Sequence, residues 1–467
     1  MKLRTKILVA AMLMALPTLT CVAQEAMAAI STEQSSDVAT KLVLSREQCI
    51  EIALQDNPTI KVADMEVKRV DYSKKEVIAG LFPAIDFSLA YQRAIELQTI
   101  NMSMGGQDMS IKMGSDNTWN LGFTATMPIV APQLWKSISM SDTQILANVE
   151  AARASRLDLI DQVNQAYYGL LLAEASYNVL KQNYDNAKIN ADLIQKKFDV
   201  GTASEYDVLR SSVQVKNVEP ELLQAEIGIK QAKLLLKILM GMDVAVEIEA
   251  NTTLKEMQQD MYGYVMGVER DLSQNTDLRT LDIQTKQLKQ NVAMKKLAWV
   301  PTIGAQFNLA WSSISNGPVF KNINLHPYSN VALSVAVPIF SGGSKLFGLK
   351  QAQVQYNEMK LHRENLVRSL NMQVDLALDN INKEIKQIET SAEGVRQAEK
   401  AHSIMQKSFE IGAATYLDLR DSELANTASQ LAYYQAIYNY LCSTSKLDTL
   451  LGKEDTLNIY KNATTEK

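Results

Sequence analysis

The sequence predicts a mainly α chain with β, in which four strands suited to crossing a bilayer join very long helices. It also predicts that the chain is an internal duplication. Three observations carry this. First, Phe198-Asp-Val-Gly201-Thr-Ala-Ser204-Glu-Tyr-Asp207 returns 211 residues later as Phe409-Glu-Ile-Gly412-Ala-Ala-Thr415-Tyr-Leu-Asp418. Phe82-Pro83 likewise returns as Val300-Pro301, Met127-Pro128 as Val337-Pro338, and Met240-Gly241 as Leu451-Gly452. That spacing is far too long for a solenoid unit, so it marks two copies of one half-molecule. Second, four runs alternate apolar and polar residues. Third, two long stretches hold almost no Pro or Gly and repeat apolar residues at steps of three, four or seven.

In chain order, residues 1–28 read as a secretion signal. Lys2, Arg4 and Lys6 precede the apolar run Ile7–Leu19, and Ala26-Met27-Ala28 offers small residues for cleavage. The apolar run is too short to span a bilayer as a helix. Cys21 raises the question of lipid attachment, and Thr18-Leu19-Thr20 is a poor approach to such a site. A short extension, 29–44, follows. The first repeat is expected over 45–241, a connector over 242–261, the second repeat over 262–452, and a tail over 453–467.

Each repeat opens with helical stretches, near Ser45–Ala79 and Tyr262–Ala298. The strands follow at 82–93 and 118–128, then at 301–311 and 328–338. Ile85, Phe87, Leu89 and Tyr91 alternate with Asp86, Ser88, Ala90 and Gln92, and the other three runs repeat the habit. Period two marks strands with one apolar face. Runs of roughly 10 residues suit tilted strands in a bilayer, and the opposite face is small and polar, as a wet lumen needs. Ordinary half-buried hairpins are the competing reading. They would normally show Lys and Glu on the solvated face, which these runs lack. Residues 93–117 and 312–327 read as Gly-, Ser- and Asn-rich loops. Four strands cannot close a membrane barrel, whose smallest form uses eight. Three copies would supply twelve.

Between Pro128 and Gly201, Val163, Tyr167, Leu170, Tyr177 and Phe198 mark a heptad-like seam. Val374, Leu378, Ile381, Ile385 and Phe409 mark its counterpart. About 65 helical residues reach roughly 100 Å. A soluble coiled coil would show the same seams. A shorter helix follows each glycine turn.

The formal charge is −5, and about −7 once residues 1–28 are removed, which argues against a general nucleic-acid binder. Cys49 and Cys442 are open to two readings, a disulfide in an oxidising compartment or two small buried residues. His326, in a loop beside Pro327, His362 and His402 are scattered without ligand spacing, so no metal or other cofactor is expected. Ser443-x-x-Lys446 lacks any partner motif, and no phosphate or dinucleotide loop appears. An enzyme is therefore not expected.

The helix-helix-strand-strand-helix-helix order, Asn57-Pro58, the Pro-flanked strand pairs and the two glycine turns with downstream aspartates together resemble the TolC-like outer-membrane efflux channels. The resemblance runs from about Leu44 to Gly452. It implies a homotrimer in the Gram-negative outer membrane. Its twelve-stranded transmembrane β-barrel would continue into a twelve-helix periplasmic α-barrel. It implies an exit duct that passes small molecules or proteins outward, as part of a tripartite efflux or type I secretion system. The partners would be a periplasmic adaptor, a proton-driven or ATP-driven inner-membrane pump, and outer-membrane lipid. A soluble periplasmic coiled-coil adaptor is the alternative.

The turns concentrate the expected sites. Ser204-x-x-Asp207 and Thr415-x-x-Asp418 fit capping boxes, so Asp207 and Asp418 have a structural role open to them. Asp421 lies three residues beyond Asp418 on the same helix face. In a threefold channel Asp418 and Asp421 would form two stacked carboxylate rings favouring cations. The resemblance places these aspartates at the pore entrance, with Asp207 nearby. It also implies a gate held by a tyrosine and an arginine, but those positions are Phe409 and Ala414 here. Closure is instead expected from packing of Phe198, Tyr206, Phe409 and Tyr416. The turn tips Gly201, Thr202, Gly412 and Ala413 are the expected adaptor-docking points.

Overall fold

The computed structural model describes residues 42–104, 107–258, 270–320 and 323–453. The expected signal peptide, most of the N-terminal extension, Cys21, the start of the helical stretch at Tyr262, and the tail beyond Lys453 lie outside these residues.

The described chain begins with strand β1 (Leu42–Leu44), helix α1 (Arg46–Asp56) and helix α2 (Pro58–Ala79). Strands β2 (Ala84–Arg93), β3 (Gln98–Met104), β4 (Gln107–Met113) and β5 (Asn117–Val130) follow. Next come helices α3 (Pro132–Asp199) and α4 (Glu205–Met240), then strand β6 (Ile248–Ala250). The second half holds α5 (Thr276–Lys296), β7 (Thr302–Ser315), β8 (His326–Ala336), α6 (Ser344–Glu410) and α7 (Tyr416–Leu451). The 68 residues of α3 and 67 of α6 make rods of about 100 Å at 1.5 Å per residue.

Strands β2, β5, β7 and β8 form one antiparallel sheet in that order. Phe87 pairs with Phe123 and Tyr91 with Trp119 across β2 and β5, and their ring centroids lie 5.0 and 4.5 Å apart. Such aromatic cross-strand pairs fix register. Pro128 sits where the β5–β7 ladder slips, which is where a residue without an N–H is tolerated. Among the described residues no helix covers either face of this sheet. Ile85, Phe87, Leu89, Val331 and Leu333 are all exposed. An uncovered apolar face of this size is not a water-facing design. The competing reading of half-buried hairpins packed on a core is not what the described residues have.

Two expectations need correction. Residues 93–117 are not a plain loop, because β3 and β4 form a further hairpin within them. Gly and Ser dominate that segment's look, yet its register pairs Ile100 with Ile111 and Met102 with Met109. His326 is not a loop residue but opens β8, paired with Ser312.

The main core lies partway along the helices, around Tyr167, Leu170, Leu171, Leu236, Met240, Ile381 and Ile437. Burying each such side chain stabilises by about 1.5–3 kcal/mol. Parallel pairing of β1 with β6 covers its edge, and the Tyr167 hydroxyl donates to the Leu44 carbonyl at 3.3 Å. Both halves fasten the helix entry in the same way. Asn57 caps α2 and donates to the Leu239 carbonyl at 2.7 Å; Asn275 caps α5 and donates to the Leu450 carbonyl at 2.8 Å. Gly241 and Gly452 end α4 and α7 in the left-handed conformation beneath those clamps. A Cβ there would meet the carbonyl oxygen of Asp56 at 2.8 Å or of Gln274 at 2.1 Å, so the position accepts no side chain.

Cys49 and Cys442 are free thiols, and burial pushes them up to about 12 and about 11 respectively. Of the two readings left open, the disulfide is absent; Cys49 is a small buried residue and Cys442 is half-buried. No helix of the described residues is long and apolar enough to cross a membrane.

Candidate functional site: the two hairpin tips

The chain turns back at two tips, one between α3 and α4, the other between α6 and α7. Each turn is set by local chemistry. Gly201 and Gly412 have φ of +80° and +79°, which only glycine adopts freely. Behind them the Thr202 amide donates to the Lys197 carbonyl at 2.8 Å and the Ala413 amide to the Ser408 carbonyl at 2.7 Å, closing each long helix. The next helix then starts on a reciprocal cap. Asp207 N–H donates to Ser204 Oγ at 3.1 Å, and the Ser204 amide and hydroxyl donate to Asp207 Oδ2 at 3.3 and 2.6 Å. Asp418 N–H donates to Thr415 Oγ1 at 3.3 Å, and the Thr415 amide and hydroxyl donate to Asp418 Oδ2 at 3.0 and 2.6 Å. Those bonds from Thr415 hold the Asp418 carboxyl below its ordinary range.

The side chains divide unevenly. Phe409 and Tyr416 are buried together, 6.2 Å between centroids, with Ile194 and Leu419 completing a small apolar cluster. Phe198 and Tyr206 stay outside it and are exposed on the single chain. Asp418 and Asp421 are both exposed on the first turns of α7, while Asp207 is half-buried. Arg420 Nη2 lies 3.1 Å from Asp421 Oδ1, a pairing between sequence neighbours that helical spacing does not suggest.

Two residues near the tips escape the sequence reading. Lys197 Nζ reaches across from α3 to the Phe409 carbonyl at 3.1 Å and sits 4.2 Å from the Phe409 ring centre. It serves the negative end of α6 and the ring face at once. Glu423 is buried on α7 one turn past Leu419, and desolvation pushes its carboxyl up to about 7. A glutamate breaking the apolar seam at 416, 419 and 423 was the available signal. His402 is half-buried, with Nδ1 3.2 Å from Ser422 Oγ, and burial lowers its pKa. No group of three His, Cys, Asp or Glu among the described residues could hold a metal ion.

The family model described as "Outer membrane efflux protein" matches residues 49–242 and again 268–453, and the chain belongs to that family. It is thus an outer-membrane efflux channel protein, of a family of transport proteins rather than enzymes, and not a soluble adaptor. "Outer membrane protein TolC" of Escherichia coli K12 is 25% identical over 395 residues, covering 78% of each chain. "Probable outer membrane lipoprotein SilC" of Salmonella typhimurium is 21% identical over 86% of this chain and 84% of its own. "Alkaline protease secretion protein AprF" of Pseudomonas aeruginosa is 21% identical over 86% of this chain and 83% of its own. In fold, the chain is similar to the Campylobacter jejuni CmeC outer membrane channel, with a TM-score of 0.70 at 17% identity over 92% and 93% of the two chains. The open-state Neisseria gonorrhoeae MtrE channel gives 0.68 at 18% identity over 90% and 93%.

Proposed function

We propose that three copies of this chain enclose one duct from the periplasm to the cell exterior. One observation carries the reading: among the described residues, strands β2 and β8 are both open edges of a sheet that no helix covers. Within a bilayer an open edge leaves backbone groups without partners at several kcal/mol each, so the sheet must close on other copies. Three sheets of four strands give a twelve-stranded barrel, and the long helices α3 and α6 with α4 and α7 give a twelve-helix tube. Each subunit is then an internal duplication, repeats 45–241 and 262–452. The twofold match of the family model and the paired Asn57 and Asn275 clamps support that division.

The duct serves a tripartite efflux or type I secretion system. Relatives named "Pyoverdine export outer membrane protein OpmQ" and "Alkaline protease secretion protein AprF" support cargo ranging from small molecules to proteins. Ile85, Phe87 and Leu89 face outer-membrane lipid. The tips at Gly201, Thr202, Gly412 and Ala413 meet a periplasmic adaptor, which links the duct to an inner-membrane pump. Asp418 and Asp421 ring the entrance and favour cations, with Asp207 beside them. Phe409 and Tyr416 hold the tip closed, and Phe198 and Tyr206 complete the packing between copies.

Electron microscopy of the detergent-purified protein tests the ring, and conductance in planar bilayers tests the duct. A threefold pore with cation selectivity that falls in the Asp418→Asn, Asp421→Asn double variant is expected. A stable monomer without conductance overturns the reading.

A further inference from the structure

The buried face of α7 runs Tyr416, Leu419, Glu423 and Thr427. Three of these suit a helix seam, and Glu423 does not. Its side chain is 6% exposed, and no donor in the described protein reaches its Oε1. Asn426 Oδ1, three residues on and one turn away, is also buried without a donor. Two neighbouring acceptors without a donor suit a neutral carboxylic acid, which carries a proton to give, far better than a carboxylate. The location adds consequence. Glu423 sits directly above the cluster of Ile194, Phe409, Tyr416 and Leu419 that joins the two hairpins at the tip.

We propose that Glu423 is a proton-operated latch. Neutral, it lets the first turns of α7 pack against α3; ionised, it loosens them and the tip cluster they carry. Among the described residues the groups around it do not offset the cost of burying the charge. On α3 Asn186 hydrogen-bonds the carboxyl and favours its charged form, and burial outweighs that bond. On α7 Tyr416 feels its charge, while Arg420, and Arg210 from α4, act on Tyr416 rather than on Glu423. On α6 the titratable neighbour is His402, bonded to Ser422 and itself driven toward the neutral form by burial. Burial raises Glu423 from 4.5 to about 7. The packing it permits is therefore fully present below pH 4.5, weakens as pH rises toward 7, and reaches its floor above that. What this does to flow rests on the duct reading proposed above: acid tightens the tip and alkali slackens it.

Hydrogen exchange of the full-length protein in detergent, from pH 5 to 8.5 and corrected for intrinsic exchange, reads the latch directly. Protection of residues 416–427 is expected to fall at least tenfold over this range. Glu423→Gln is expected to keep the low-pH protection at pH 8.5, and Glu423→Leu to flatten the profile likewise. A wild-type profile without pH dependence, or one shared by both variants, overturns the proposal. Bilayer conductance of the same proteins separates the two readings. Exchange that follows Glu423 without any conductance supports the latch and sinks the duct. Conductance with exchange indifferent to Glu423 keeps the duct and sinks the latch.

Discussion

The two hairpin tips share a backbone and differ in what they bury. Phe198 is 40% exposed where its counterpart Phe409 is 7% exposed. Aligned at the 211-residue offset, the aromatic after the cap moves by one place. Tyr416 matches Glu205, and Tyr206 matches Leu417. One residue is about 100° around a helix, enough to turn a ring from the seam to the surface. Tyr206 is accordingly 67% exposed and Tyr416 7%. Lys197, which reaches over to Phe409, matches Ser408, whose side chain is too short to return the contact to Phe198. Charge diverges too: Asp421 stands where the first tip has Arg210, and Glu423 where it has Ser212. A glycine and a capping box are enough to build the turn. They do not decide which tip is packed.

The largest effect should come from emptying the packed tip. Phe409→Ala is expected to cost about 3 kcal/mol of local stability, the lower end for a buried phenylalanine, while Phe198→Ala stays within about 0.5 kcal/mol. Exchange protection around residues 194–212 and 405–424 measures both. Equal losses would break the comparison and show that assembly covers the first tip as fully as the second.

The glycines should behave alike. No atom lies within 4 Å of a Cβ built on Gly201 or Gly412, so Ala pays only for the left-handed backbone, about 1–2 kcal/mol at either site. Thermal denaturation of Gly201→Ala and Gly412→Ala checks this. A clear inequality would mean that the turns themselves, and not just their side chains, have diverged.

Much of this was legible in the sequence because it is local. Gly201, Ser204-x-x-Asp207 and their repeats specify dihedrals and hydrogen bonds within four residues. Alternation over Ala84–Arg93 specifies a strand whatever it pairs with. The β3–β4 hairpin was missed because Gly and Ser around residues 103–106 carry the same signature as an open loop. Lys197 and Glu423 were missed for a different reason. Their meaning depends on a partner over 200 residues away for Lys197, and on depth in a multi-helix seam for Glu423. A lysine in the last turn of a helix reads equally well as a surface cation complementing the dipole.

Lys197→Met comes next in size. It keeps the aliphatic stem and removes one charge-assisted bond and one ring contact, for a loss of about 1 kcal/mol. The loss should appear in exchange of the Phe409 region, on the far hairpin, and not in the helix that bears the mutation. Loosening confined to α3 would mean that Lys197 merely completes its own helix end.

The smallest effect belongs to Arg420. Its pairing with Asp421 joins two partly exposed side chains, 34% and 57% accessible, so Arg420→Ala should change stability by no more than about 0.5 kcal/mol. The same substitution removes the cation beside one carboxylate of the second tip, whose counterpart at the first tip is itself a cation, Arg210. If threefold rings of Asp418 and Asp421 line an entrance, taking away three arginines deepens the negative potential there without disturbing the fold. Cation selectivity should rise in planar bilayers while the denaturation curve stays in place. A selectivity unchanged by Arg420→Ala would mean that Asp421 faces away from the path of the ions, leaving Asp418 as the sole acid of that tip at the entrance.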